Sequence, residues 1–229
     1  MSQGQANANY AISTSQKVSS IFAGDYAAAD EGSFFVASRV TTAMTASVDS
    51  QAKSQVTPAL VIQNQQPLNS GYNMYLRYIK LVGTTIPTAA SDWQYTAVLD
   101  PLSTKLTTAA SVITPVNVNS NSGVLSAAYI SFGANTVVTT SAAGRIVAAG
   151  YIAGNIPVAK DEYLFDFGQP GGSVDSVGTH TLLSRVSIPM APVIIAPQWF
   201  FTLGLWGTSY TTAASYSIEM GFVERPAGQ

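Results

Sequence analysis

The sequence predicts an all-β protein: an antiparallel β-sandwich of jelly-roll type, with about eight to ten strands and an extended N-terminal arm. Three observations lead to this prediction. Short segments rich in aromatic and β-branched residues recur between polar turns. No segment of ten or more residues shows the 3.6-residue apolar period of a capped helix. Two long polar connections, one of them residues 101–123, are typical of the crossovers in a jelly roll.

The first part of the chain is expected to form an arm. Residues 1–22 are small and polar, and they cannot bury enough apolar surface to fold alone. We interpret them as a segment that is free or held by a partner, preceding a single domain at residues 23–229. The next stretch, GDYAAADEG, places three carboxylates around a turn bounded by glycine. Its Ala-rich middle, Tyr26–Asp30, is too short to predict a helix.

The strands are predicted from alternation and from their β-branched and aromatic content. They are Phe34–Val48, Pro58–Gln65, Tyr72–Val82, Trp93–Leu99, Ala127–Phe132, Ile146–Ile152, Val158–Phe167 and Thr181–Ile188, followed by a closing hairpin that begins near Trp199. The connection at residues 101–123 is expected to lie on the surface or to carry function, because loops of this length usually do so.

The closing hairpin carries the clearest pattern. From Tyr216 to Phe222 every second residue is large and apolar, which indicates a strand with one face on the core. From Trp199 to Leu205 the same period holds, but Phe200 and Trp206 add apolar bulk to the opposite face. Burying that face takes a second sheet or another subunit. Phe200 and Trp206 are therefore the first candidates for a subunit contact.

A second candidate contact lies on the strand Tyr72–Val82. Arg77 is flanked by Tyr75 and Ile79 on one strand face. Arginine and tyrosine are enriched in protein interfaces, so Arg77 and Tyr75 are candidate interface residues. The alternative for this face is ordinary exposure to solvent.

Composition favours assembly over catalysis or nucleic-acid binding. Charged residues make up 10% of the chain, against about 25% in a typical domain. A polar surface with few charges suits proteins that assemble. The net charge of −2 and the absence of a basic run argue against nucleic acid and against a polybasic membrane patch. We also expect no membrane span, because no apolar run approaches about 18 residues. We expect no secretory signal, because MSQGQANANYAISTSQK has neither a basic region nor an apolar one.

Groups suited to catalysis or metal binding are sparse. The single histidine, His180, is the only residue that could complete a Ser-His-Asp triad, and no serine lies in a GxSxG setting. Cysteine is absent, and the twelve carboxylates are dispersed. Glu162 and Asp166 lie roughly 13 Å apart along one strand, too far for a retaining glycosidase pair. We expect no catalytic residue, no metal site and no cofactor.

Exposed aromatic side chains provide one alternative. Trp93, Trp206 and Tyr210 could form a platform on which a sugar stacks, although packing in the core or between subunits is favoured for them. The loops at residues 101–123 and 207–214 are the places where such a glycan site is expected.

Three stretches resemble the jelly-roll capsid decoration (cement) proteins of tailed bacteriophages and related virion proteins. They are the arm running into GDYAAADEGSFFVASR, the strands ALVIQNQ and YNMYLRYIKLV, and the closing PVIIAPQWFFTLGLWGTSYTTAASYSIEMGFVERP, together about a third of the chain. The match is in pattern, and none of the three is a diagnostic motif. The closing turn departs from the Pro-Gly frequent in that family, since this chain reads Pro197-Gln198.

The resemblance implies a trimeric knob on the outer surface of a phage head. It implies that the N-terminal arm holds the major capsid protein, and that the protein reaches the virion after synthesis in the host cytoplasm. The leading hypothesis is accordingly a non-enzymatic, homotrimeric decoration subunit. The alternative is the glycan- or receptor-binding head of a phage fibre, collar or spike.

Overall fold

The computed structural model describes the greater part of the chain from Gly24 onward. The described residues are 24–43, 57–85, 93–101, 106–133, 135–137, 144–153, 159–168, 185–207 and 215–227. The predicted arm (residues 1–22), His180 and Tyr210 lie outside these ranges, as do the side chains of Trp93 and Trp206.

One short helix and fifteen strands occur in the described residues. They are α1 (Gly24–Asp30), β1 (Phe34–Ala43), β2 (Leu60–Asn64), β3 (Tyr72–Thr85), β4 (Trp93–Asp100), β5 (Leu106–Thr108), β6 (Ser111–Ile113), β7 (Val116–Asn117), β8 (Ala128–Phe132), β9 (Thr136–Val137), β10 (Arg145–Ala153), β11 (Glu162–Phe167), β12 (Arg185–Met190), β13 (Ile194–Ile195), β14 (Phe200–Gly207) and β15 (Ser215–Pro226).

Eight of these strands form a jelly roll. The first sheet contains β1, β15, β3 and β11 in spatial order, and the second contains β2, β14, β4 and β10. Neighbours within each set of four are antiparallel. The chain crosses between the sheets at nearly every step, so the last strand lies beside the first. This order is that of two Greek keys, and it confirms the predicted jelly-roll sandwich.

The other seven strands are short additions made by the connections. β7 extends the first sheet beside β1, while β8 and β6 extend the second sheet beside β2. The prediction of eight to ten strands was therefore too low, because strands of two or three residues show no period. β12 pairs with β11 in parallel, which departs from a wholly antiparallel sandwich. The connection from Phe167 to Arg185 is long enough for a parallel crossover.

Helix α1 corrects the expectation of a turn without helix at Tyr26–Asp30. Its Ala28 packs against Phe34 and Val223 on the outer face of the first sheet. The helix ends where the Ser33 hydroxyl and backbone N–H both donate to the Ala28 carbonyl, after Gly32 at a φ of 71°. Packing on the sheet stabilises a helix that its length alone would not.

The core lies between the two sheets and confirms the predicted faces of the two closing strands. Every second residue from Tyr216 to Phe222 is at most 2% exposed. In the facing sheet, Phe201, Leu203 and Leu205 are buried in the same cluster. The Phe35 and Phe222 rings stack with centroids 5.8 Å apart, joining β1 to β15. The two strands predicted to form a closing hairpin lie in different sheets and do not pair with each other, so the predicted hairpin was wrong. Together they contribute to both walls of the core.

The Pro197-Gln198 turn adopts a backbone in which glycine is more usual. Trp199 N–H donates to the Ala196 carbonyl, and Gln198 has a φ of 66°, as in a type II turn. The Gln198 side chain donates to the carbonyls of Gln65 and Gln66, at 3.2 and 2.8 Å. These bonds fix the turn against the end of β2 and account for glutamine at this position.

Candidate interaction surfaces

Phe200 is covered by its own chain. Its side chain is 1% exposed and packs with Val61 and Leu106. Leu106 belongs to β5, which crosses the outer face of the second sheet. The expectation that Phe200 contributes to a subunit contact was wrong, because the connection after β4 already buries the ring. Trp206 pairs with Gln94 in the sheet, and its role in a contact stays a prediction.

Arg77 and Tyr75 lie on the outer face of the first sheet. The register between β3 and β15 shifts at this point: Tyr78 pairs with Gly221 and Leu76 pairs with Phe222. Arg77 is the extra residue of this bulge, so the consecutive side chains of Arg77 and Tyr78 both leave the core. The prediction that Ile79 shares the face of Arg77 and Tyr75 was wrong, because the bulge turns Ile79 into the core. The Arg77 guanidinium lies 2.7 Å from Asp25 of α1, and Tyr75 packs against the cluster beneath that helix. Arg77 thus pairs with the helix of its own chain and Tyr75 packs on the cluster beneath that helix, and their part in an interface stays a prediction.

A charged groove runs beside these residues. It has a volume of about 460 Å³ and is bounded by the start of α1, the middle of β3 and the end of β11. The residues that line it are Asp25, Arg77, Tyr78, Lys80, Leu164, Asp166, Phe167, Gly168 and Glu219. We call this feature the charged groove.

Glu219 accepts hydrogen bonds from two neighbouring side chains in one wall of the charged groove. Lys80 Nζ donates to its Oε2 at 2.7 Å, and the Tyr78 hydroxyl donates to its Oε1 at 2.9 Å. The hydrogen bond from Lys80 lowers the pKa of Glu219, against the opposing effect of burial. Burial and the neighbouring Glu219 raise the pKa of the Tyr78 hydroxyl. Glu219 is therefore held ionised, and Tyr78 and Lys80 are fixed around it.

Asp166 occupies the opposite wall of the charged groove. It projects from the outer face of β11, since Phe165 and Phe167 on either side are buried. Within the described ranges its carboxylate has no hydrogen-bond or ion-pair partner, whereas Arg77 is paired with Asp25 and Lys80 with Glu219. The groove therefore contains one carboxylate that its own lining does not neutralise.

A second surface, at one end of the sandwich, exposes apolar side chains beside the charged Glu31, Glu224 and Arg225. Tyr72, Val124 and Leu125 line a groove of about 720 Å³, with Phe35 at its base. Leu68 is outside the groove lining and lies in the turn between two residues that belong to it, Gln66 and Tyr72. The exposed fractions are 72% for Leu68, 43% for Tyr72, 53% for Val124 and 89% for Leu125. We call these four residues the apolar end surface.

Hydrogen bonds fix the loop that carries Val124 and Leu125. Glu224 of β15 accepts from the Ser126 hydroxyl and from the Ala127 N–H. Asn117 donates to the carbonyls of Gly32 and Val124, at 2.8 and 3.3 Å. Burial raises the pKa of Glu224, while its hydrogen bonds oppose the shift. The apolar end surface is thus held in place before any partner binds.

The sequence analysis did not find the apolar end surface. Its residues come from the turn after β2 and from the loop before β8, which lie far apart in the chain. The available signal was the presence of large aliphatic residues inside polar turns, Leu68 after Pro67 and the pair Val124-Leu125 after Gly123. Their meeting depends on the pairing of β2 with β8, which was not predicted.

Two searches of the described residues, for metal-binding groups and for membrane-spanning helices, found none. Among these residues, no three or more His, Cys, Asp or Glu side chains are grouped to hold a metal ion. In the same part of the chain, no helix has the length and apolar character needed to span a bilayer.

Comparison of the chain with protein-family models, with curated proteins and with solved structures finds no match. The strand order is therefore the basis for the fold assignment.

Proposed function

We propose that this protein is a non-enzymatic virion structural protein, a decoration subunit that binds and stabilises the outer surface of a phage head. The observation that carries the proposal is the apolar end surface on a rigid jelly roll. Exposed apolar groups beside a concavity mark interaction sites or ligand-binding grooves, and the family resemblance favours a protein–protein contact here. The resemblance of the three sequence stretches to phage decoration proteins supplies the identity of the particle.

The apolar end surface is the proposed self-association contact, in place of Phe200. Full burial of Leu68 and Leu125 would contribute about 3 kcal/mol. Aromatic and aliphatic groups at the centre of a contact supply most of its binding energy. The three-fold state comes from the family resemblance, and the N-terminal arm is left available for the major capsid protein.

Locating the protein on particles tests the proposal. Virions from the source culture would be labelled with an antibody to this chain and imaged by electron microscopy. Label over the outer surface of the head supports a decoration subunit. Label on a fibre, collar or spike favours the receptor-binding alternative, and particles without label contradict the virion role.

Deletion of residues 1–22 tests the function of the arm. The truncated chain is expected to lose binding to undecorated heads, because the resemblance implies that the arm holds the capsid protein. Its circular dichroism spectrum should stay that of a β protein, since both sheets begin after residue 24. A truncated chain that saturates the heads as the full chain does would contradict the proposed role of the arm.

One observation weighs against a glycan site in the long connection. Residues 101–123 contain no aromatic side chain. In the described part of this connection, the large exposed hydrophobic side chains are the aliphatic Val112, Val116 and Val118. Sugar rings stack on aromatic faces, which this connection lacks. A glycan array probed with the full chain would separate the alternatives, because reproducible binding to a host polysaccharide would favour a receptor-binding head.

A further inference from the structure

The chain enters the sandwich at the rim of the charged groove. Helix α1 begins at Gly24, and the next residue, Asp25, is part of the groove wall through its ion pair with Arg77. The last residues of the arm therefore start from the edge of this groove. A ligand joined by such a short tether has an effective concentration in the millimolar range. The arm's own last residues thus have an advantage over any free partner in reaching the groove.

The charges of the charged groove and of the N-terminal arm are complementary. The groove contains three carboxylates and two cations, and Asp166 is the carboxylate without a partner among the described residues. Residues 1–23 contain one charged side chain, Lys17. A pairing of Lys17 with Asp166 would therefore neutralise the one charged side chain of the arm and the one carboxylate of the groove that is unpaired within the described residues.

The distances permit this pairing. An extended chain from Gly24 back to Lys17 spans up to roughly 23 Å. Asp166 lies on β11, the strand next to β3 and so about 5 Å from it. Between Lys17 and Gly24 lie Val18, Ile21 and Phe22, and the groove presents apolar surface from Tyr78 and Leu164. The tether is thus long enough, and it carries apolar residues that the groove can contact.

We propose that residues 17–23 bind in the charged groove of their own chain, with Lys17 paired to Asp166. Docking in this way fixes the direction in which residues 1–16 leave the sandwich. The inference concerns the isolated protein and does not depend on the virion role.

Trypsin reports directly on Lys17. It is the first basic residue of the chain, and the next, Arg39, lies within β1. Limited digestion of the full chain should release residues 1–17 at least about threefold more slowly than from Asp166→Asn, since that substitution removes the proposed ion pair. Asp30→Asn is the matched control, because Asp30 is an exposed carboxylate at the far end of α1. It should be cleaved at the wild-type rate.

Equal rates for the wild type and Asp166→Asn would overturn the proposal, and so would an effect of the same size in Asp30→Asn. Protection that weakens on dilution would show that the groove holds the arm of a second copy, which also overturns docking within one chain. High salt should speed cleavage of the wild type more than of Asp166→Asn, because it screens the pair.

A charge exchange provides a second measurement that does not rely on cleavage at Lys17. Lys17→Glu and Asp166→Lys should each speed amide hydrogen exchange in residues 18–23 by at least about threefold. The double variant should restore the wild-type exchange rate, because the pair is rebuilt with reversed charges. Failure of the double variant to slow exchange relative to both single variants would contradict the pairing.

Discussion

At the scale of single residues, Gly221 shows how the outer face of the first sheet is built. A methyl group at this position would lie 2.4 Å from a Tyr78 ring carbon and 3.1 Å from Phe34. The glycine lets the Tyr78 ring lie flat over β15, and this places the hydroxyl on Glu219. The wall of the charged groove therefore depends on a residue that has no side chain.

Gly221→Ala should destabilise the protein by about 1 to 3 kcal/mol, because the Tyr78 ring must move and lose its hydrogen bond to Glu219. Urea unfolding followed by tryptophan fluorescence would measure the change. Gly123→Ala is the control, since a methyl group there meets no atom within 4 Å. A loss of stability as small as in the control would refute the account of this contact.

Two glutamates of β15 should make the stability of the folded chain depend on pH in opposite directions. The pKa of Glu219 is lowered below its ordinary 4.5, so the unfolded chain binds more protons in that window and stability rises with pH. The pKa of Glu224 is raised above 4.5, so the folded chain binds more protons and stability falls as pH rises through that window. The measured dependence of stability on pH therefore contains one contribution from each glutamate, with opposite signs.

Thermal unfolding between acidic and neutral pH would test these signs. Glu219→Gln should remove part of the gain in stability as pH rises toward 4.5. Glu224→Gln should remove part of the loss as pH rises above 4.5. Two variants with parallel pH profiles would contradict the assigned environments.

At the scale of elements, Asn135 joins the long connection to the second sheet. It is fully buried, and its Oδ1 accepts from Ala110 N–H at 2.9 Å and from the Ser131 hydroxyl at 2.6 Å. Its amide nitrogen donates to carbonyls that include Ala59 and Ser131. One side chain thus fixes the segments before β6, before β2 and at the end of β8.

Asn135→Ala should lower the free energy of unfolding by about 3 kcal/mol, because it leaves buried backbone groups without partners. Chemical unfolding monitored by circular dichroism would provide the value. Asn121 is an exposed asparagine in the connection at residues 101–123. As a control, Asn121→Ala should change stability by less than about 0.5 kcal/mol. Similar values for the two variants would show that burial of Asn135 contributes little.

Most long alternating strands were predictable from sequence, but the faces of β3 were not, because the bulge at Arg77 reverses them. Strands of two or three residues were not predictable. The faces of β11, β14 and β15 follow from a period of two over six or more residues. β5, β6 and β7 have two or three residues each, which is too short for any period. β6 and β7 form by pairing with the longer β8 and β1, and β5 pairs with the equally short β9. Helix α1 was missed for a related reason, because packing on Phe34 and Val223 stabilises it.

The candidate surfaces were less predictable than the fold. Sequence alternation placed Arg77 and Tyr75 outside the core, but the ion pair with Asp25 required knowledge of α1. Phe200 was assigned to a contact because β5, which supplies Leu106, was unknown. The apolar end surface brings together residues from two loops, and single-sequence patterns contain no information about that proximity.

At the scale of the whole molecule, self-association and attachment are assigned to different parts of the chain. The apolar end surface is built by the folded sandwich, whereas the arm precedes it. Deletion of residues 1–22 should therefore leave self-association within about twofold of the wild type, since no association energy is removed. Light scattering coupled to size-exclusion chromatography would measure this. Dissociation of the truncated chain to monomers would show that the arm, and not the end surface, holds the subunits together.

Sedimentation of the full chain at micromolar concentration tests the central claim of assembly through the apolar end surface. The account predicts a species of three 24.0 kDa chains. It also predicts that the double substitution Leu68→Asp and Leu125→Asp weakens association by about a hundredfold or more. Tyr151→Ser, which changes an exposed aromatic on β10, should leave association unchanged. A wild-type chain that sediments only as a 24.0 kDa monomer would contradict the account.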